Sequence, residues 1–188
     1  MRTYKTTSDV SHLKLPYARV PDPYPTAANR TFGPILGVPV GSLFYFRQDV
    51  HHAGIHRGFV AGIFGHEQFG CWSICVNGGY PEDIDEGDRI VFTGSGGREL
   101  ATKNLRTADQ SCDQSPNNKC NASLIKSHAT GLPIRVVRGP KSHSPYTPVG
   151  AYRYDGLYRC TNWEFATGKT GFRVLRFTLE RLEGQTPL

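Results

Sequence analysis

Tyr80 and Phe92 lie on either side of an acidic run that contains Asp83, and each aromatic adjoins a glycine-rich turn, Gly78-Gly79 or Gly94-Ser95-Gly96-Gly97. Two aromatic rings can clamp a flat ring between them, and a carboxylate beside them can accept a hydrogen bond from an exocyclic amine. Glycine tolerates φ > 0 and carries no side chain, so a ligand can come close to the backbone there. Residues 77–98 therefore hold the equipment to keep a single cytosine-like base outside its helix. A hairpin with glycine turns and two core aromatics explains the same residues without any ligand, and composition leaves both accounts open.

The elements that position these residues read as mostly β. Arg89–Thr93 is a short β-favouring strand leading into the second glycine turn, and residues 42–47 and 71–76 are aromatic or β-branched runs of the same kind. In the latter, Trp72, Ile74 and Val76 alternate with Cys71, Ser73 and Cys75, which predicts one buried face. A helix is expected from Asn117 or Asn118 to His128, with Asn as cap, Ala122, Leu124 and Ile125 inward, and Gly131 past its end. A strand over residues 132–138 follows, with its arginines outward, and residues 152–160 and 173–182 close the sheet. Tyr154-Asp155-Gly156 reads as a tight structural corner outside any pocket. Gly168-Lys169-Thr170-Gly171 reads as a hairpin turn, since the upstream glycine of a phosphate-binding loop is missing. Pro16, Pro21, Pro23 and Pro25 break up residues 1–30, which read as an extended arm.

Composition narrows the partners. The chain has 188 residues, 22 Lys plus Arg against 16 Asp plus Glu, and a formal charge of +6, a balance that suits a polyanion. No apolar run is long enough to span a bilayer, so no membrane partner is expected. Five cysteines without a CxxC pair point to reduced thiols and not to a disulfide framework or zinc knuckle. His51, His52, His56 and His66 lack a carboxylate or cysteine at a repeated metal spacing, so neither a metal nor a cofactor is expected.

Several blocks together carry a family likeness: Phe32-Gly33-Pro34-Ile35-Leu36-Gly37, Gly54-Ile55-His56-Arg57, Val60-Ala61-Gly62-Ile63, Thr93-Gly94-Ser95-Gly96-Gly97-Arg98, Arg106-Thr107-Ala108-Asp109-Gln110 and Tyr152-Arg153-Tyr154-Asp155-Gly156. Over residues 31–181 the chain resembles the SRA domain (SET- and RING-associated, or YDG), a reader of methylated cytosine in DNA. The resemblance implies an α+β, mainly β, PUA-like fold: a twisted barrel or crescent sheet with a few flanking helices. It divides the chain into an arm at 1–30, the domain at 31–184 and a tail at 185–188.

The resemblance also implies roles. Tyr80 and Phe92 would stack on a flipped cytosine, with Phe92 standing where the family usually has Tyr. Asp83 would accept from the base's N4 amine, which excludes thymine. The main chain at Asn77, Gly78, Gly79 and Thr93 would meet the rest of its polar edge, and Ser95 would line the 5-methyl cavity. Val60 falls at the position of a wedge that enters the minor groove and fills the vacated space. Asn104 and Arg106 stand at the tip of the major-groove finger, with Leu105 where the family has Lys, and Arg57, Arg98 and Lys103 are weaker backbone contacts. The implied partner is double-stranded DNA with a modified cytosine, hemimethylated CpG among the candidates. One copy is expected on each site, without catalysis, in the nucleus. The alternatives are a specificity module of a larger modification-dependent nuclease or chromatin enzyme, with 5-hydroxymethylcytosine as a further ligand, and an RNA-binding module of PUA type.

Overall fold

The structure, a computed structural model, describes residues 31–98 and 110–188. In chain order it forms β1 (Leu43–Phe44), α1 (Arg47–His52), β2 (Ile63–His66), β3 (Gly70–Val76), β4 (Ile84–Asp85), β5 (Arg89–Thr93), α2 (Lys119–Thr130), β6 (Ile134–Arg138), β7 (Tyr152–Thr167) and β8 (Arg173–Arg181). The strands make one sheet in the order β2-β3-β6-β7-β8-β5-β4, with β1 paired to β7. Every pairing is antiparallel except β3 with β6. β2 and β4 end the order without pairing to each other, so the sheet is an open crescent and not a closed barrel.

Neighbouring side chains on a strand point to opposite faces, and here both faces find cover. Val136 joins a core with Ile74, Leu124, Leu175, Phe177 and Leu179, under α2. Its neighbour Val137 joins a second core with Val38, Val50, Ile55 and Tyr154, under α1 and the segment before it. That is why all seven residues of β3 are buried, where simple alternation predicts one face only.

Burial on both sides also reverses the expected direction of the β6 arginines. Arg135 is fully buried, its Nε donating to Ile55 O at 3.0 Å and its Nη1 to Thr31 O and Gly33 O at 2.8 Å each. Arg138, also fully buried, uses all of its donors: Nε and Nη2 grip the two Asp85 oxygens at 2.8 and 2.7 Å, Nη1 reaches Asp155 Oδ2 at 2.7 Å and Tyr158 OH at 3.2 Å, and Nη2 also reaches Gly87 O at 2.7 Å. Pairing and hydrogen bonding of this kind offset the desolvation of the buried Arg138 guanidinium, whereas Arg135 relies on carbonyls alone and burial lowers its pKa to about 10. Asp155 is shared with Arg153.

Residues 154–156, expected at a corner, lie within β7 opposite a register shift between Val136 and Val137. Gly156 takes φ +96°, and a Cβ there would lie 2.3 Å from Gln185 Oε1. Gln185 brackets Leu157, accepting from its N at 2.7 Å and donating to its O at 2.8 Å, so contacts with the sheet run into the residues read as a tail. The strand expected over residues 42–47 shrinks to β1, because Asp49 accepts from Phe46 N at 3.2 Å and starts α1 instead.

Helix α2 matches its expected ends: Asn118 Oδ1 accepts from Cys120 N at 3.0 Å, and Gly131 closes it at φ 68°. Its buried face is Asn121, Ser123, Leu124 and Ser127, more polar than expected. The small hydroxyls let helix and sheet approach closely. A Cβ at Gly65 would lie 2.3 Å from Ser123 Oγ, and Ser127 Oγ accepts from Cys71 N at 2.8 Å.

Candidate nucleic-acid interface

Strands β4 and β5 bring Asp83 beside Thr93. The Asp83 carboxylate accepts from Thr93 N at 2.7 Å. Burial pushes its pKa up to about 6, against the opposing pull of the Thr93 amide and hydroxyl. The hydroxyl favours the anion from nearby, yet its buried oxygen has no hydrogen-bond partner. A carboxylate that is strained in its anionic form, beside an unsatisfied hydroxyl, is suited to a ligand that brings a donor.

Tyr80 is fixed by its hydroxyl, which donates to Gly96 O at 3.1 Å and so ties the two glycine turns together. Burial raises its pKa, which keeps it neutral. The Arg98 guanidinium lies 4.7 Å from the centre of the Tyr80 ring, and its Nη2 donates to Gly79 O at 3.2 Å. Arg98 thus braces the aromatic from the neighbouring turn, a closer role than the backbone contact expected of it. Phe92 is seated in the main core with 5% of its surface exposed, so it is a fixed wall and not a mobile flap. Asn77 spends its side chain elsewhere: Oδ1 accepts from Lys141 N at 2.9 Å. A Cβ at Gly78, φ +69°, would lie 2.4 Å from Lys141 O, so the first glycine turn packs directly on the loop after β6.

Ser95 is positioned by a residue that sequence reasoning passed over. The buried Asn121 accepts from Ser95 N at 2.7 Å and donates to Ser95 O at 2.9 Å, as a strand would. Gln114 bridges the preceding residue to β8, donating to Gly94 O at 2.8 Å while accepting from Leu175 N at 2.9 Å. A Cβ at Gly94 would lie 2.7 Å from Asn121 Oδ1, which explains the glycine. Nothing in the local pattern distinguishes Asn121 from a surface asparagine, since its partner is 26 residues away in sequence. The β7–β8 turn also reaches the site: Lys169 N donates to Glu82 Oε1 and its Nζ to Pro81 O, both at 2.8 Å. Asn121→Ala leaves the half-buried Ser95 amide without its acceptor, at about 1–3 kcal/mol. The expected result is a melting temperature lower by about 5 °C in a thermal unfolding scan.

The loop that carries Val60 is clamped at both ends. Gly58 N donates to His51 Nδ1 at 3.1 Å, and Ala61 O receives Arg47 Nη2 at 2.6 Å and His56 Nε2 at 2.9 Å. His56 is fully buried, and desolvation pushes its pKa well below the usual range. It is neutral, with its proton on Nε2 facing a carbonyl, so Nδ1 accepts from Ser73 Oγ at 3.0 Å. Val60 stands out from this loop with 55% of its surface exposed. Arg57, read from sequence as a DNA-backbone contact, is buried with 8% of its surface exposed. Lys103, Asn104 and Arg106 lie outside the described residues.

Known proteins are similar to this chain over nearly all of its described residues. A family model described as the SAD/SRA domain matches residues 31–185. The E3 ubiquitin-protein ligase UHRF1 of Danio rerio is 43% identical over 166 residues, 80% of this chain. The chain spans only 21% of that relative's length. Among solved structures, a modification-dependent TagI restriction endonuclease matches with a TM-score of 0.76 and 43% identity, covering 82% of this chain and 53% of that one. The SRA domain of SUVH5 in a hemimethylated CG DNA complex matches at a TM-score of 0.69 and 32% identity, covering 85% of this chain and 99% of that one. With β1 through β8 and both helices inside the family match, the chain belongs to the SAD/SRA domain family.

Proposed function

We propose that this domain binds duplex DNA by taking one modified cytosine out of the stack and holding it against Tyr80 and Phe92, with Asp83 accepting from its N4 amine. The observation that carries this reading is the Asp83 carboxylate: half-buried, raised to about 6 and set on the Thr93 amide beside an aromatic that Gly96 and Arg98 hold in place. SUVH5, a member of the same family, is known in complex with hemimethylated CG DNA, which supports methylated DNA as the partner. Stacking one base is worth about 1–3 kcal/mol, enough to offset much of the cost of unstacking it. Ser95, held by Asn121, lines the space for the 5-methyl group. Burying one methyl contributes about 1 kcal/mol, so the preference over plain cytosine is about fivefold to tenfold. Asn77, Gly78 and Gly79 offer main-chain groups to the remaining edge. Val60 enters from the minor groove, and Asn104 and Arg106 from the major groove, with Lys103 nearest the phosphates.

The domain reads DNA and does no chemistry of its own, as one copy per site and within a longer nuclear protein. A second reading, a specificity module of a modification-dependent nuclease, is favoured by the likeness to TagI. Fluorescence anisotropy tests the pocket with matched duplexes carrying cytosine, 5-methylcytosine on one or both strands, or 5-hydroxymethylcytosine. Wild type tightens on at least one modified duplex and keeps that preference at higher salt, whereas Tyr80→Ala binds all four alike. Equal, steeply salt-dependent binding of wild type to all four leaves only phosphate contact.

A further inference from the structure

Beside Val60 stands a second apolar side chain with no place in the pocket. Phe59 exposes 54% of its surface. One face of its ring is covered by His51, stacked at 4.5 Å between centroids with the planes 24° apart. The same His51 takes the Gly58 amide on its Nδ1, so a single residue fixes both the backbone before Phe59 and the ring itself. Arg47 and His56 fix the carbonyl of Ala61 on the far side. The loop therefore presents a ring with one face backed, the other bare, and little freedom left to lose.

We propose that Phe59 is a second wedge, stacking by its bare face on the base step beside the position that the flipped cytosine vacates. This rests on the base-flipping reading above and adds to it a residue that acts on the bases left in the duplex. Apolar side chains inserted between base steps unstack and kink DNA from the minor groove, and a phenyl ring does so with a larger contact surface than valine. Every base has a π-face, so the contact is indifferent to sequence. A rigid, pre-stacked ring also gives up less side-chain entropy on binding than a free one. The wedge acts only in the flipped complex and carries no charge, so it strengthens modified DNA without changing the salt dependence.

The experiment titrates wild type, Phe59→Ala and Phe59→Tyr against a duplex with one 5-methylcytosine and its unmodified twin at two salt concentrations. In parallel, 2-aminopurine placed beside the methylcytosine reports stacking at that step. Phe59→Ala is expected to bind the methylated duplex about tenfold more weakly. It should bind the unmodified duplex as wild type does, keep the salt slope, and leave the 2-aminopurine brighter in the saturated complex. Phe59→Tyr, which keeps the ring, should match wild type. The proposal is overturned if Phe59→Ala retains wild-type affinity for the methylated duplex, if it loses the same factor on both duplexes, or if Phe59→Tyr is as weak as Phe59→Ala. A wild type that does not tell the two duplexes apart sinks the flipping reading and the wedge with it. A wild type that does, paired with an unaffected Phe59→Ala, sinks the wedge alone.

Discussion

Arg138→Gln is expected to lower the unfolding free energy by about 3–5 kcal/mol, a large part of the roughly 5–15 kcal/mol that holds an ordinary domain together. The melting temperature should fall by roughly 6–20 °C. The guanidinium is the only cation that touches Asp85 among the described ion pairs, and it shares Asp155 with Arg153. Glutamine keeps a polar group but leaves the buried Asp85 without its counter-charge and Asp155 with Arg153 alone. Removing one member of a buried cluster is costlier than never having built it, because the orphaned charges remain. Arg138→Lys should recover part of the loss, since an ammonium keeps the charge but cannot grip both Asp85 oxygens in the plane of the carboxylate. A urea titration of the three proteins checks this, and equal midpoints would show the network to be dispensable. The loss extends to the proposed binding site. Asp85 lies two residues from Asp83, so the YDG aspartate on β7, through Arg138, holds the strand that Asp83, the proposed pocket carboxylate, leads into.

Asp83 should make stability and binding respond to pH in opposite directions. Its folded pKa, about 6, lies above the 3.8 of a free aspartate. The folded state therefore binds the proton more tightly than the unfolded chain does. That contribution to stability is fully present below about pH 3.8 and is lost as pH rises through 6. Comparing wild type with Asp83→Asn isolates it, because groups such as Asp85, which Arg138 holds below the usual carboxylate range, tilt the whole curve the other way. Wild type minus variant should decline between pH 4 and about pH 7 in thermal melts. Base capture needs the anion as acceptor for the N4 amine, and at pH 5 only about a tenth of the carboxyls are ionised. Affinity for the methylated duplex should thus be about tenfold weaker at pH 5 than at pH 7.5, and Asp83→Asn should show neither that pH effect nor the methyl preference. A wild-type preference that is flat across this range would remove Asp83 from the site.

Much of this was legible in local pattern. The strand Arg89–Thr93 and the capped helix α2 appear where alternation, Asn118 and Gly131 put them, because those signals are decided within a few residues. The residues proposed for the pocket are suggested by type alone: a carboxylate between two aromatics, flanked by glycines. What was not legible depends on partners far away in sequence. Arg135 and Arg138 look like outward arginines until Thr31, Ile55, Asp85 and Asp155 close around them. Asn121 and Gln114 look like ordinary polar residues until the glycine turn lies between them. Phe46 and Tyr45 suggested a strand, yet Asp49 decides for a helix by capping Phe46.

An open sheet has two raw edges, and each can recruit a foreign strand. Here the outermost strands are β2, four residues with a bulge between Phe64 and Gly65, and β4, two residues long. Neither offers a straight row of unpaired amides long enough to template another chain. Among the described residues, then, the sheet resists growing by strand addition, and copies held at high local concentration keep their sheets from fusing into fibres.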